Sequence, residues 1–289
     1  MSWRTIVITQ RCKLDLKMGY MVVRGEDTKK IFLDEIAVLM IENTAVSLTA
    51  CLLEALVNKK IKVIFCDAKR NPHAELIPIY GSYDSTRKVR GQIKWTDDVK
   101  ASVWTEIVSE KIRNQCSFLK EIGKTDASIL LEEYLSELEF NDLTNREGHA
   151  AKVYFNAVFG MDFTRSFDCV VNSALNYGYS ILLSIFNREI VASGYLTQLG
   201  IFHDNTFNYF NLSCDMMEPF RIAVDKFVYS AEYKKFESEE KHDILSLLSN
   251  KYIIDNTQQT LMNAIKIYTK SVFDAIENKD VSLIKFPRI

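Results

Sequence analysis

Asn145-Arg-Glu-Gly-His-Ala-Ala-Lys-Val-Tyr-Phe155 and Val170-Val-Asn-Ser-Ala-Leu-Asn-Tyr-Gly-Tyr179 lie inside a long interval, between Pro78 and Pro219, that contains no proline. Proline inside a helix removes a backbone hydrogen bond and clashes with the preceding turn, so its absence suits a run of helices. The apolar spacing agrees. It is helical through Val103, Ile107, Ile112 and Phe118, over Ile129 to Leu138, Ala150 to Phe159 and Val170 to Asn187, and again over Pro219 to Tyr229, Leu245 to Leu248 and Leu261 to Ile276. Residues 99–289 therefore read as an all-helical domain. Within it, Glu232 to His242 reads as a charge-mixed, exposed helix face or loop.

Upstream the texture is different. Trp3 to Thr9, Tyr20 to Arg24, Lys30 to Leu33, Ala37 to Ile41 and Ile61 to Cys66 are short β-branched or aromatic runs, and Gly25-Glu-Asp27 marks a turn. They predict a small, mostly antiparallel sheet. Ser47 to Val57 interrupts it with helical spacing and Ser47 as a cap. This β-rich domain spans residues 1–79. Residues 80–98 are polar and basic with two glycines, and read as a linker. The fold class is α+β: a β-rich N-terminal domain followed by an all-helical C-terminal domain.

With 289 residues, 47% of them hydrophobic, the chain has material for two modest cores. No apolar run is long enough for a bilayer span, and Met1-Ser-Trp-Arg-Thr5 lacks the layout of a secretory signal, so a cytoplasmic protein is expected. Six cysteines without a Cys-x-x-Cys pair argue against a zinc ribbon or a disulfide framework. The net charge of -2 excludes a protein that coats nucleic acid over its whole surface, but it conceals an asymmetry. Residues 1–99 hold 16 Lys and Arg against 12 Asp and Glu, and the remainder holds 20 against 26. Acidic residues concentrate where a metal site would use them.

Three pieces of the helical region carry candidate ligands. Glu147 has Ala150 and Ala151 on its helical face, small enough to let another helix approach the carboxylate. His149 points to the other side and is left out. His203 follows Gly194 and Gly200 in a tight loop. Asp215 and Glu218 precede Pro219, which places both carboxylates at a helix N-terminus, where the dipole favours negative charge. Two acids with a histidine suit Mg²⁺ or Mn²⁺. Asp215 can act as a general base, as an outer residue orienting His203, or as a ligand to a second ion. A basic patch, Arg87, Lys88, Arg90 and Lys94 with Lys69 and Arg70 upstream, is interleaved with Tyr80, Tyr83 and Trp95, as a surface that grips phosphates and stacks bases would be. Arg146 and Arg221, beside proposed ligands, can contact a phosphate or neutralise the acids.

The motifs Asn145-Arg-Glu-Gly-His-Ala-Ala-x-x-Tyr-Phe155, Asn172-x-Ala-Leu-x-Tyr-Gly-Tyr179, Gly200-x-x-His203 and Asp215-x-Met-Glu-Pro-Phe-Arg221, in that order, closely resemble the CRISPR adaptation integrase family. Trp3-Arg-Thr-x-Val7 and Val63-Ile-Phe-Cys-Asp-x-Lys-Arg70 resemble its type II form. The resemblance covers essentially the whole chain. It implies an N-terminal domain that mediates homodimerisation and one metal site, with Glu147, His203 and Glu218 at metal-binding positions and Asp215 at a further acidic position. The implied activity is metal-dependent DNA endonuclease and integrase chemistry. A captured fragment's 3′-hydroxyl attacks a phosphodiester at the end of a CRISPR repeat, and a small ferredoxin-like partner dimer is flanked by two integrase dimers. Two other readings use the same residues: a metal-dependent nuclease of branched DNA in repair, and a non-catalytic DNA-binding scaffold. The tail Ser282 to Ile289 is a candidate contact for the partner or for its own domain.

Overall fold

The computed structural model describes residues 4–79 and 81–289; Trp3 of the β-branched run and Tyr80 of the basic patch lie outside the described residues. The chain divides into two compact units, residues 1–82 and 83–289.

The first unit holds two four-stranded sheets rather than one antiparallel sheet. Strands β1 (Arg4–Ile8), β5 (Ile36–Ile41) and β7 (Lys62–Cys66) pair in parallel, and β8 (Pro72–Glu75) adds to β7 antiparallel. In the second sheet, β2 (Lys13–Lys17), β3 (Tyr20–Arg24) and β4 (Thr28–Phe32) form an antiparallel meander, with β6 (Ser47–Leu48) parallel to β2. Every residue of β5 is buried, as expected of a central strand covered on both faces. Strand β2 alternates charged and apolar residues, the pattern of a half-buried strand, and its Leu14 lies in the core; without β-branched or aromatic residues it was not among the runs read as strands. Helix α1 (Ala50–Asn58) starts later than expected, because the Thr49 side chain, not Ser47, caps it by accepting from Leu52 N at 3.3 Å. Leu14, Met21, Ile36, Leu39, Leu52, Leu56 and Val63 form this unit's core.

The second unit is helical apart from one hairpin. Its elements are α2 (Ser85–Gln92), α3 (Asp97–Glu121), α4 (Thr125–Ser136), α5 (Arg146–Phe159), α6 (Val170–Ala192), α7 (Asn211–Met217), α8 (Arg221–Ala231), α9 (Ser238–Leu245), the hairpin β9 (Lys251–Ile254) and β10 (Thr257–Thr260), and α10 (Leu261–Asn278). The hairpin amends the all-helical expectation. The tail packs on its own unit: Arg288 N donates to Ile253 O at 2.9 Å and the Phe286 ring meets Tyr268.

Helices α3 and α6 run through the core and pack against most of the others. Gly178 of α6 faces Val224 of α8 so closely that a Cβ there would lie 2.4 Å from Val224 Cγ1. That closeness sets how near α8, and the turn leading into it, can come. Residues 80–98 are not a plain linker: helix α2 belongs to the second unit. Its buried Gln92 donates to the carbonyls of Leu196 and Leu199 at 2.9 and 3.0 Å and accepts from Leu196 N at 2.9 Å. No helix among the described residues is long and apolar enough to cross a membrane.

Candidate active site

The loop from Tyr195 to Phe210 carries His203 between α6 and α7, and four side chains hold it. Gln92 fixes its start through the bonds to Leu196 and Leu199. Asn211 donates to the carbonyls of Gln198 and Asn205, each at 3.0 Å, and Thr197 Oγ1 donates to Tyr209 O at 2.8 Å. Asp215 does the most. Fully buried, its Oδ2 accepts from Ile201 N at 2.6 Å and Phe202 N at 3.0 Å, and its Oδ1 accepts from His203 N at 3.1 Å and lies 2.5 Å from His203 Nδ1. A carboxylate only accepts, so Nδ1 carries a proton, and in the neutral imidazole Nε2 is left with the lone pair.

This arrangement corrects one expectation. Asp215 sits within α7, not at the start of the helix after Pro219, since a 3-10 turn over Glu218–Phe220 separates α7 from α8. Proline cannot donate the bond that would continue α7. Four hydrogen bonds also occupy both Asp215 oxygens, which fits the orienting role among the three left open by the sequence. Gly200 makes the wrap possible: a Cβ there would lie 2.2 Å from His203 O and 2.8 Å from Asp215 Oδ2. The Trp104 and Phe202 rings stack with centroids 4.4 Å apart, and Trp104 meets the His203 ring edge to face.

Glu147 stands in the first turn of α5, whose leading amides are held by Asp142: Oδ1 accepts from Arg146 N at 2.6 Å and Oδ2 from Glu147 N at 3.1 Å. Glu218 is 5% exposed. The two glutamates meet at one cation, the ammonium of Lys111 from α3, which donates to Glu218 Oε2 at 2.5 Å and to Glu147 Oε1. Arg221 Nε holds the other Glu218 oxygen at 2.9 Å, and its guanidinium lies over the Tyr179 ring at 4.6 Å. Burial pushes the Glu218 carboxyl up, but Arg221 and Lys111 outweigh it and hold it down to about 2. Burial lowers the Lys111 ammonium less than Glu218 and Glu147 raise it, so it stays charged. The Asp215 hydrogen bond raises His203 against the opposing effect of burial, and Glu218 and Glu147 add to the rise, which puts the imidazole within electrostatic reach of both.

Among the described residues no three His, Cys, Asp or Glu side chains stand together as a ready-made metal-binding group. The donor chemistry nevertheless fits a hard divalent cation. Two carboxylates converge on one positive charge, and both act electrostatically on an imidazole held through Nδ1. Lys111 is the member that sequence reasoning passed over. It lies four residues after Ile107 on the buried face of α3, and a lysine on an apolar face was the available signal.

The proposed DNA-contacting residues are dispersed. Arg87 and Lys88 pair with Asp84 at 2.7 and 3.2 Å, while Arg90 and Lys94 are exposed. Tyr83 is fully exposed, but Trp95 packs against Tyr195 and Phe273 and is not a stacking platform. Arg146 pairs with Glu137 at 2.8 Å and lies over Tyr134, so it neutralises neither Glu147 nor Glu218. A 210 Å³ cavity opens beside the glutamates, lined by Lys111, Gln115, Phe155, Arg165, Tyr179 and Arg221 among others.

The family model described as CRISPR associated protein Cas1 matches residues 5–266. A CRISPR-associated endonuclease Cas1 of Neisseria meningitidis serogroup C (strain 8013) is 31% identical over 296 aligned positions, spanning 100% of this chain and 97% of the relative. Among solved structures, a casposase bound to integration product aligns with a TM-score of 0.78 at 16% identity, over 98% of this chain and 93% of that one. A Cas6-RT-Cas1–Cas2 complex aligns with a TM-score of 0.75 at 17% identity, over 97% of this chain and 36% of that longer one. Likeness at such identities shows the fold.

Proposed function

The chain belongs to the CRISPR-associated Cas1 family, and from that premise we propose that it is a metal-dependent DNA endonuclease and integrase that inserts short foreign fragments into a CRISPR array. The observation that carries this reading is the convergence of Glu147 and Glu218 on one buried cation position, with His203, held by Asp215, within electrostatic reach of both.

In this reading Glu147, Glu218 and His203 Nε2 hold a Mg²⁺ or Mn²⁺ ion. When bound, that ion supplies the positive charge that a phosphodiester needs as its transition state gains negative charge. The chain's own residues do the rest. Asp215 keeps the proton on Nδ1 and the ring in place. Arg221 keeps Glu218 ionised and turned toward the site. Attack of the fragment's 3′-hydroxyl forms one P–O bond as a repeat-end P–O bond breaks, and the hydroxyl's proton is lost as the departing oxygen gains one. One phosphodiester replaces another, so no nucleoside triphosphate is required.

DNA is held by the exposed cations of α2 and its exit, Arg87, Arg90 and Lys94, with Lys88 and Arg221 nearer the packed core. The assembly is a homodimer through the first unit, working with a small ferredoxin-like partner, two dimers about one partner dimer. The fold shared with a Cas6-RT-Cas1–Cas2 complex supports a Cas2-type partner.

Strand transfer tests the proposal. A supercoiled plasmid carrying a CRISPR repeat is incubated with a short 3′-hydroxyl duplex, the partner and Mn²⁺, using the native chain and His203→Ala. Joined duplex from the native chain alone is expected. Cleavage without joining would indicate a hydrolytic repair nuclease, and equal joining by both proteins would reject the site.

A further inference from the structure

Both oxygens of Glu218 are taken, Oε1 by Arg221 and Oε2 by Lys111, and Lys111 also holds Glu147. A divalent ion that binds these carboxylates therefore meets a positive charge already in place. Lys111 and Arg221 already share Glu218, and a divalent ion among them would add a third positive charge, repelled by several kcal/mol at a few ångströms. One must leave. Arg221 is clamped between Glu218 and the Tyr179 ring, whereas the Lys111 ammonium is held by the two glutamates that the ion itself would bind.

The cavity beside the pair offers the ammonium a destination. Gln115 lies four residues after Lys111 on α3, on the same face of the helix, and lines the same 210 Å³ cavity. It is 4% exposed, and among the described residues its buried Oε1 has no hydrogen-bond partner. An orphaned buried acceptor costs free energy until a donor reaches it. One turn of helix is within the reach of a lysine's flexible stem.

We infer that Lys111 is an exchangeable counter-ion of the Glu147–Glu218 pair: a divalent cation displaces its ammonium, which turns to the waiting Gln115 Oε1. The inference rests on the metal-site reading above and adds to it a second position for the lysine. Lys111 then holds the two carboxylates together when no divalent ion is bound, and it sets the threshold concentration at which the ion enters. Gln115 offsets part of the cost of the exchange.

Mn²⁺ binding to the full chain, measured as loss of the free-ion electron paramagnetic resonance signal, tests this without reference to activity. Lys111→Met removes the competing charge and is expected to tighten Mn²⁺ binding tenfold or more. Gln115→Leu removes the acceptor, leaves the competitor in place, and is expected to weaken binding several-fold. His203→Ala reports on the site itself. Mn²⁺ binding that is lost in His203→Ala but neither tightened by Lys111→Met nor weakened by Gln115→Leu overturns the exchange and leaves the metal site standing. Absence of Mn²⁺ binding in both the native chain and Lys111→Met overturns both. If Lys111→Met fails to fold, Gln115→Leu decides alone: unchanged affinity rejects the exchange.

Discussion

His203 Nδ1 lies 2.5 Å from Asp215 Oδ1, and the same carboxylate accepts the backbone N–H groups of Ile201, Phe202 and His203. One buried acid thus sets the position of the loop, the direction of the ring and the tautomer that leaves Nε2 available. Asp215→Ala should leave three amides unmatched and free the ring. A drop in strand transfer of a hundredfold or more is expected, with Mn²⁺ affinity falling and a stability cost of about a few kcal/mol. Gly200→Ala should impair the same loop through its close approach to His203 O, and denaturant titration beside Mn²⁺ binding checks both variants.

Glu147→Ala, His203→Ala and Glu218→Ala should each abolish strand transfer while leaving duplex binding within a few-fold of native. Apart from Arg221, which pairs with Glu218, the side chains that would grip phosphates lie on α2 and at its exit, away from these three positions in sequence. Gel-shift and joining assays on the same preparations make the comparison. Abolished DNA binding in all three variants would contradict it.

Asp225 is buried, accepts a hydrogen bond from Tyr179 Oη, and is pushed up to about 6 by burial, which outweighs the help of Tyr179 and Tyr154. An acid whose folded value exceeds its ordinary 3.8 stabilises the fold when protonated, so that contribution is full below pH 3.8 and is lost as pH rises through about 6. The stability of the native chain relative to Asp225→Asn should therefore fall between about pH 4 and pH 7, on the order of 3 kcal/mol for a shift of about two units. Paired urea titrations at the two pH values measure it. A difference that stays flat or rises with pH would refute the assignment.

Gly178→Ala should destabilise the second unit by about 1–3 kcal/mol, because the added methyl meets Val224 and the core around it is closely packed. Val224→Ala should recover part of that stability when combined with it. Thermal unfolding of the two single variants and the double variant gives the coupling. Purely additive effects would show that the Gly178–Val224 approach is not the cause.

Charge removal on α2 should act on affinity rather than chemistry. Arg87→Ala, Arg90→Ala and Lys94→Ala together should lower duplex affinity and flatten its dependence on salt concentration, by about one unit of slope for each phosphate that is no longer neutralised. Joining measured at saturating DNA should be unchanged. An unaltered salt slope would move the DNA path elsewhere.

How far the sequence alone reached differs from element to element. Short β-branched and aromatic runs placed β1, β3, β4, β5 and β7, and helical spacing placed α3 to α6, α8 and α10, because a helix that buries one face carries a repeat that the chain itself displays, whereas the short α7 and the charge-rich α9 did not show it. The motifs around Glu147, His203 and Glu218 were legible as candidate ligands through their side-chain chemistry and their ordered resemblance to the family. Strand β2 did show a strand's period in Lys13-Leu-Asp-Leu-Lys17 but lacks the β-branched and aromatic residues by which the other strands were read. The parallel pairing of the first sheet was not legible, because pairing partners are chosen by neighbours distant in sequence. The same limit hid the inner workings of the site. That Asp215 spends both oxygens on a loop twelve to fourteen residues upstream, that Gln92 of an apparent linker pins that loop, and that Lys111 stands between two glutamates 36 and 107 residues away are facts of tertiary packing. Composition and spacing determined which side chains can hold a cation. Only the fold decided which of them meet, because a buried charge takes the partner that the surrounding helices bring to it.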